Sequence, residues 1–135
     1  MEKENIEKIK KAALSMRALS YAPYSGFAVG AALLCADGTV FAGCNVENAS
    51  YSCCICAERT ALFKAVSEGR RDFAAIAVAG GKAGEAAADF CSPCGACRQC
   101  LAEFCGPDFP VVMVREGGEE KVRTLGELLG DAFKL

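Results

Sequence analysis

The chain of 135 residues contains no histidine. A Ser-His-Asp triad, a Cys-His protease pair and an imidazole metal ligand are therefore excluded. Any general acid or base must be a carboxylate, a lysine, a tyrosine or a cysteine. No apolar run approaches the roughly 18 residues that a transmembrane helix needs, and the charged first residues lack the apolar region of a signal peptide. The sequence therefore favours a cytoplasmic protein with no membrane partner.

The chain also lacks a strong net charge. A formal charge of -2 gives it no overall attraction for a polyanion, which argues against a nucleic-acid partner. Hydrophobic residues make up 53% and charged residues 24%, which is the balance of a globular protein. This length fits one domain, residues 1–135, that can bury a core without disulfides.

Cysteine, in contrast, is abundant, with ten residues. Two explanations are common at this density: a secreted disulfide scaffold, or a metal site in a reducing compartment. Because the sequence indicates no secretion signal, we expect most of the thiols to be reduced. Many of them would then serve as small buried apolar side chains.

Helical and strand patterns alternate along the chain after an opening hairpin with its turn at Asp37-Gly38. Predicted helices cover residues 2–19, 56–67, 95–104 and 125–129, and predicted strands cover 27–36, 39–46, 73–79, 111–115 and a short stretch around Val122. Gly43 is a candidate bulge, and residues 80–89 are predicted to be a mobile surface segment, with a short helix over its alanines as the alternative. Thr124 and Glu127 have the spacing of a capping box. The pattern predicts an α/β fold, a three-layer α/β/α arrangement around a mixed, mainly five-stranded sheet.

Two cysteines lie three residues apart at the start of a predicted helix, Cys94 and Cys97. A helix N-terminus lowers thiol pKa values through its dipole and its free N–H groups. This spacing has three interpretations: a redox dithiol, half of a zinc site, or coincidence in a cysteine-rich chain. The usual context of a redox dithiol, the start of a thioredoxin-like domain, is absent, which favours the zinc site.

A third cysteine, Cys56, stands at the start of another predicted helix, with Glu58 two residues later. Residues two apart on an ideal helix point away from each other, so we expect Cys56 to occupy the cap. Three thiolates leave the fourth tetrahedral position of zinc open for water, as in catalytic sites. The alternative is a closed structural site, which would give Glu58 no role. Its fourth ligand would be Cys53, Cys54, Cys91 or Cys100.

Three thiolates around zinc form a negatively charged cluster, which weakens the metal as a Lewis acid. A nearby cation would offset this charge. Arg59 follows Glu58 directly and Arg98 follows Cys97, and we expect at least one of them to donate hydrogen bonds to the sulfur atoms. The alternative is that both arginines are exposed on helix surfaces.

These segments resemble the zinc-dependent cytidine deaminases, specifically the short, homotetrameric type with three zinc-binding cysteines. The matching residues read CAER at 56–59 and PCGACRQ at 93–99. Further segments that look like blocks of the family are YAPYSGF at 21–27, GCNVENASY at 43–51, and residues 56–68. Residues 80–89 are longer than is usual in the family.

The resemblance implies hydrolytic deamination of cytidine and deoxycytidine to uridine and deoxyuridine, with release of ammonia, in pyrimidine salvage. One zinc ion per subunit, held by Cys56, Cys94 and Cys97, is expected to activate a water molecule, and the hydroxide then attacks C4 of the cytosine ring. Glu58 is expected to take the proton of the water, deliver it to N3 and carry a proton to the departing amino group.

The resemblance also implies contacts with a nucleoside substrate. Asn45 and Glu47 match the pair that holds the 3′-hydroxyl of the ribose, and Phe27 matches the aromatic side chain that packs on the pyrimidine face. The Ala57 N–H and the backbone carbonyl near Ser92 would read O2 and the amino group of the base.

Two aromatic residues relate to assembly. Tyr51 and Phe133 match positions that lie at or near subunit boundaries in the family and complete neighbouring sites. The resemblance therefore implies a homotetramer.

Four other functions compete with this one. A blasticidin S deaminase shares the cysteine segments but lacks the ribose block at residues 45–48, and a nucleic-acid-editing deaminase needs a basic groove. A zinc-stabilised binding module without chemistry would have no use for Glu58. A disulfide-rich secreted protein would have few free thiols.

Overall fold

The opening apolar run forms a central strand of a mixed five-stranded sheet. A computed structural model of the chain describes residues 2–135, and Met1, the first residue of the predicted domain, lies outside them. The five strands are β1 (Phe27–Cys35), β2 (Val40–Cys44), β3 (Phe73–Lys82), β4 (Pro110–Val114) and β5 (Glu120–Thr124). Their order in the sheet is β2-β1-β3-β4-β5, with β3 and β4 parallel and the other neighbours antiparallel.

Helices cover both faces of the sheet, as predicted. The four α-helices are α1 (Lys3–Met16), α2 (Ala57–Ser67), α3 (Gly95–Phe104) and α4 (Leu125–Leu128). Short 3₁₀ turns follow α1 at Arg17–Leu19 and precede α2 at Tyr51–Cys53. Within residues 2–135, the structure contains no helix long and apolar enough to cross a membrane.

The alternation of side chains along β1 explains the layers. Ala32 and Leu34 face α1, where they pack with Ile9 and Ala13. Leu33 and its odd-numbered neighbours face the other side and pack with α2, α3 and α4. Because both faces are covered, the strand is apolar at nearly every position.

The structure corrects two predictions about glycines. Gly43 is not a bulge, because β2 pairs regularly with β1 from Val40 to Cys44. Residues 80–89 are not one mobile surface segment, because β3 continues through Gly80 and Gly81, which pair with Val29 and Ala28 of β1. A local glycine signal cannot reveal that a neighbouring strand continues to supply hydrogen-bond partners.

Both helix layers contact the sheet closely at a glycine. A Cβ atom added to Gly30 of β1 would lie 2.0 Å from the backbone oxygen of Ala13 in α1. A Cβ atom added to Gly43 of β2 would lie 2.7 Å from the backbone nitrogen of Ala61 in α2. The absence of a side chain at each position therefore sets the distance between sheet and helix.

The last helix begins as the sequence predicted. The Thr124 side chain accepts a hydrogen bond from the Glu127 N–H, and the Glu127 carboxylate accepts one from the Thr124 N–H. This capping box, confirmed here, satisfies N–H groups that a helix start leaves without intrahelical partners.

Candidate active site

Two helix starts bring the predicted ligand cysteines together. Cys56 caps α2 and Cys94 caps α3, both with extended backbone conformations, and Cys97 lies in the first turn of α3. The non-helical backbone at each cap turns the thiol across the end of its helix. The predicted position of Cys56 at the cap is therefore confirmed, and it places this sulfur beside those of α3.

The three sulfur atoms fit one zinc ion. The Sγ atoms of Cys56 and Cys94 are 3.5 Å apart, and those of Cys94 and Cys97 are 3.4 Å apart. Tetrahedral zinc with Zn–S bonds of about 2.3 Å separates its sulfur ligands by about 3.8 Å, so these two distances need changes of only a few tenths of an ångström. All three sulfur atoms lie within 4.8 Å of one another. Within residues 2–135, the cluster of metal-ligating side chains comprises these three cysteines alone. The alternative closed site with a fourth cysteine is therefore not formed.

Arg59 offsets the charge of the cluster. Its guanidinium donates a hydrogen bond to the Cys56 sulfur, at 3.3 Å. Hydrogen bonding by the neighbouring Cys97 thiol and by Arg59 holds the pKa of Cys56 well below its usual range. The cluster therefore favours a thiolate, which is the form that binds metal.

Arg98, the other arginine considered as a hydrogen-bond donor to sulfur, contacts oxygen atoms instead. It donates hydrogen bonds to the carbonyl oxygens of Pro93, at 2.7 Å, and Leu128, at 2.5 Å, and to the Ser92 hydroxyl, at 3.3 Å. These contacts tie the loop before Cys94 to the end of α4. Arg98 therefore braces the ligand loop, and Arg59 is the arginine that contacts sulfur.

Glu58, in the first turn of α2, is a buried carboxyl group with an unused oxygen. The residue is 4% exposed, and its Oε1 atom has no hydrogen-bond partner within residues 2–135. Burial, together with the charge of Cys56, raises the pKa of Glu58 to about 7. A carboxyl group of this kind can both accept and release a proton near neutral pH. An unsatisfied buried polar atom is costly, and its position beside a metal-ligand cluster indicates a binding role.

A cavity of about 370 Å³ contains these groups. Its volume is within the roughly 300–1,000 Å³ of small-molecule sites. Glu58, Cys56, Cys94 and the first residue of α2, Ala57, lie on its wall. Ala57 is fully buried, and its N–H belongs to the helix start, where such groups have no intrahelical partner.

A second cavity shares one wall with the first. Phe27 and Gly80 line this neighbouring cavity of about 480 Å³, and Cys91 lines both cavities. Cys91 and Phe27 lie over Gly80, since a Cβ atom there would be 2.8 Å from the Cys91 sulfur and 2.9 Å from the Phe27 ring. Phe27 therefore lies beside the first cavity, with Cys91 between.

The two polar residues after β2 are held firmly. The Asn45 Oδ1 atom accepts hydrogen bonds from the Val29 N–H, at 2.9 Å, and the Ser20 hydroxyl, at 2.5 Å, and its Nδ2 atom donates one to the Phe27 carbonyl, at 2.8 Å. The Glu47 carboxylate accepts hydrogen bonds from the hydroxyl and N–H of Ser25, which hold its pKa below the usual range. Asn45 and Glu47 both line the first cavity.

The two residues predicted near subunit boundaries are exposed in the single chain. Tyr51 is 75% exposed, contacts the Tyr24 ring edge to face and lies at the rim of the first cavity. Phe133 is 66% exposed, and its backbone carbonyl accepts a hydrogen bond from Gln99. Phe133 lies outside the lining of the first cavity and borders a separate apolar one beside α4.

The sequence did not predict the roles that three residues have around the site: Ser25, Cys91 and Gly43. Ser25 lies in a block that matched the family, so its contact with Glu47 had a signal. Gly43 lies in another matching block, and Cys91 was considered only as a fourth ligand of a closed site. The contacts of both residues join distant segments, which no local pattern shows. All ten cysteines lie within residues 2–135 and are free thiols, which does not support a disulfide scaffold.

Comparison with known proteins gives a consistent result. Residues 3–113 match the family model described as the cytidine and deoxycytidylate deaminase zinc-binding region. The chain is 48% identical over 129 residues to a cytidine deaminase of Sporosarcina psychrophila, covering 96% of this chain and 91% of the relative. It is 51% identical over 123 residues to a cytidine deaminase of Halalkalibacterium halodurans, covering 91% and 89%.

Solved structures agree. The crystal structure of cytidine deaminase from Burkholderia pseudomallei is similar with a TM-score of 0.84 and 50% identity, covering 98% of this chain and 100% of that one. The two proteins therefore share one fold, and the predicted α/β fold with a mixed five-stranded sheet is confirmed for the present chain.

Proposed function

This chain belongs to the zinc-dependent cytidine and deoxycytidylate deaminase family, which makes it a hydrolytic deaminase, and we propose that it acts on the free nucleosides cytidine and deoxycytidine. The products are uridine or deoxyuridine and ammonia. We further propose a role in pyrimidine salvage, in the cytoplasm, for a single catalytic domain of residues 1–135. Ten free thiols support a reducing compartment.

The observation that carries the proposal is the buried, unpartnered Oε1 atom of Glu58 beside three metal-ligating thiols. A structural zinc site has no use for such a group, and its burial is costly. A hydrolytic site needs it, because water must lose a proton and the leaving group must gain one. The arrangement therefore favours chemistry over a zinc-stabilised binding module.

Zinc bound by Cys56, Cys94 and Cys97 would supply a Lewis acid that activates water for attack on C4 of the cytosine ring. Glu58 accepts and donates the protons that the reaction moves. Its carboxylate accepts a proton from the attacking water and delivers it to N3 of the ring. Glu58 then carries a second proton from the hydroxyl group newly attached to C4 to the exocyclic amino group. The C4–N bond breaks, and the amino group leaves as ammonia. The raised pKa of Glu58 suits both directions of transfer.

The contacts of Asn45 and Glu47 suit a ribose hydroxyl. Both lone-pair positions of Asn45 Oδ1 are used, but one Nδ2–H bond remains free to donate after the bond to Phe27. Glu47 is ionised and has acceptor capacity beyond its bonds with Tyr24 and Ser25. We assign the 3′-hydroxyl to this pair, as acceptor from Asn45 and donor to Glu47.

The remaining contacts involve the base and the neighbouring subunits. In this proposal Phe27 packs on the pyrimidine face from the neighbouring cavity, at the wall that the two cavities share at Cys91, and the Ala57 N–H and the carbonyl near Ser92 bind O2 and the amino group. Tyr51 and Phe133 are exposed aromatic side chains, and a homotetramer in which they complete neighbouring sites would bury them. The net charge of -2 supports small nucleosides rather than nucleic acid as substrates.

The test is an ultraviolet assay of one purified sample with cytidine, deoxycytidine, cytosine and cytidine monophosphate, with zinc measured in the same sample. We expect turnover of both nucleosides, much slower turnover of the free base and the nucleotide, and one zinc ion per chain. Zinc-loaded protein that leaves cytidine unchanged would contradict the proposal. Size-exclusion chromatography with light scattering tests the tetramer separately.

A further inference from the structure

Gly43 lies in β2 directly beneath the first turn of α2. A Cβ atom at this position would lie 2.7 Å from the Ala61 backbone nitrogen, 2.9 Å from the Ala57 backbone oxygen and 2.9 Å from the Thr60 Cβ atom. All three atoms belong to one face of the helix, since residues three and four apart are neighbours there. The first turn of α2 therefore packs directly on the backbone of β2 at Gly43.

This contact cannot adapt by rotating a side chain. Two of the three close atoms are backbone atoms of α2, so any added carbon must displace the helix itself. Interiors are packed tightly, so such a displacement is transmitted along the element instead of being absorbed locally. The affected turn begins at Cys56, whose carbonyl also accepts hydrogen bonds from the N–H and hydroxyl of Thr60.

The other two ligands do not follow α2. Cys94 and Cys97 belong to the start of α3. There, Arg98 donates hydrogen bonds both to the carbonyl of Pro93 in the preceding loop and to the carbonyl of Leu128 at the end of α4. A shift of α2 relative to α3 therefore changes the distance between the Cys56 and Cys94 sulfurs, which is 3.5 Å. Glu58 moves with Cys56 because both belong to the displaced turn.

The same strand also leads to Asn45, two residues beyond Gly43 and fixed by Val29 and Phe27. The spacing between this side chain and Glu58 therefore depends on how closely α2 sits on β2. We infer that Gly43 is a positioning residue for the metal centre: the missing side chain lets α2 approach β2 closely enough to place Cys56 and Glu58 against the ligands of α3.

The experiment compares alanine substitutions at two glycines that each lie against the backbone of a helix, with the closer approach at the control position, Gly30. Gly43→Ala displaces α2, whereas the control Gly30→Ala displaces α1 on the opposite face, where a Cβ atom would lie 2.0 Å from the Ala13 oxygen. A milder control is Gly126→Ala, whose Cβ atom would lie 3.0 Å from that of Pro107. For each purified protein, zinc affinity is measured by chelator competition, thermal stability by unfolding, and kcat and KM with cytidine.

We expect Gly43→Ala to weaken zinc binding about tenfold or more, as loss of a group supporting metal ligands does. We expect kcat to fall on the order of 10²-fold, the cost of an ångström-scale misplacement, with a much smaller change in KM. The controls should lose thermal stability while zinc affinity and kcat stay at the wild-type values. Wild-type zinc affinity in Gly43→Ala, or an equal loss of zinc in a control that folds, would overturn the inference.

A gentler variant covers failure of Gly43→Ala to fold. The exposed Lys64 in α2 donates a hydrogen bond to the carbonyl of Ala42, the neighbour of Gly43. Lys64→Met therefore weakens the contact between α2 and β2 without adding bulk at Gly43. It should weaken zinc binding in the same direction by a smaller factor, and unchanged zinc affinity there would overturn the inference. The kcat measurement rests on the proposed function, whereas zinc affinity does not. Wild-type protein that binds zinc without converting cytidine would contradict the proposed function alone.

Discussion

Within residues 2–135, the two faces of the sheet each bury one charged side chain: Lys10 of α1 on one face and Glu58 at the start of α2 on the other. Lys10 is 5% exposed, and its ammonium group contacts the carboxylates of Glu7, at 3.0 Å, and Glu120, at 2.7 Å. Glu58 is equally buried, but its Oε1 atom has no partner within the described chain. The two charged groups are thus buried to the same extent, but the ammonium group of Lys10 has two partners and the Oε1 atom of Glu58 has none within residues 2–135.

This difference separates a structural charge from a chemical one. Lys10 connects α1 to β5, and its partners compensate the loss of water. Glu58 keeps an oxygen uncompensated, at a cost in free energy that only a ligand can offset. The face beneath α1 is therefore expected to tolerate changes in charge that the other face does not.

Glu58→Gln gives the largest expected effect. The amide keeps the shape of the side chain but cannot carry a proton between water and the ring, so turnover of cytidine should fall by about 10²- to 10⁴-fold. Zinc content should stay at the wild-type value. Steady-state kinetics with metal analysis measure both quantities, and a wild-type rate in the variant would show that the assigned role of Glu58 is wrong.

The same pair of proteins sharpens the comparison through pH. In metal-free protein the pKa of Glu58 rises from 4.5 to about 7 on folding, so between these values the folded state holds a proton that the unfolded state has lost. The contribution of Glu58 to the free energy of unfolding therefore falls as pH rises through this window. Glu58→Gln lacks this slope, and urea unfolding of both proteins from pH 4.5 to 8 should show the difference.

Arg59→Met is expected to have the next largest effect. It removes the cation that donates to the Cys56 sulfur and leaves the thiolate cluster without that compensation. Zinc affinity should fall by about 10- to 100-fold, as for other groups that support metal ligands. Chelator competition measures the change. Arg98→Met is the matched comparison, because Arg98 contacts carbonyl groups and a hydroxyl. This variant should lower the unfolding temperature, and its zinc affinity should fall by less than that of Arg59→Met.

Lys10→Met tests the other face. Methionine fills similar volume without a charge, and the two carboxylates are exposed enough to hydrate, so the free energy of unfolding should change by no more than about 1 kcal/mol. Turnover should equal that of the wild type. Urea unfolding and the nucleoside assay measure both properties, and a marked loss of activity would break the distinction between the two faces.

Asp37→Asn gives the smallest expected effect and serves as an exposed reference. Arg70 holds the pKa of Asp37 well below its usual range, although the pair is open to solvent. The stabilisation is present above the ordinary carboxyl pKa of about 3.9 and is lost as pH falls through the lowered value. Asp37→Asn removes this contribution, so the free energies of unfolding of the two proteins should differ by a small, constant amount above about pH 4 and converge as the pH falls below it. Urea unfolding across this pH range measures the difference, and a difference that grows in acid would contradict this explanation.

Local sequence signals predicted the elements that depend on near neighbours. The hairpin turn, the capping box of Thr124 and Glu127, and the helix starts at Cys56 and Cys94 all have short-range causes. Spacing also identified the ligand trio, because two separate caps each offered a thiol. Glu58 followed from its position beside Cys56.

Long-range packing accounts for what the sequence did not predict. The role of Gly43 depends on a helix that begins 14 residues later, and the strand at Gly80 depends on pairing with β1. The direction of Arg98 depends on the carbonyl of Leu128, 30 residues away. No local pattern encodes such partners, so the surroundings of the ligands required the structure.

The ligand caps also have a consequence for the stability of the chain. Cys56 and Cys94 are 38 positions apart, so an ion that joins them clips a long loop, like a removable crosslink. By the loop-entropy argument applied to disulfides, a permanent clip of this span restricts the unfolded ensemble by roughly 4 kcal/mol. Metal supply would then govern how long the polypeptide persists as well as how fast it works.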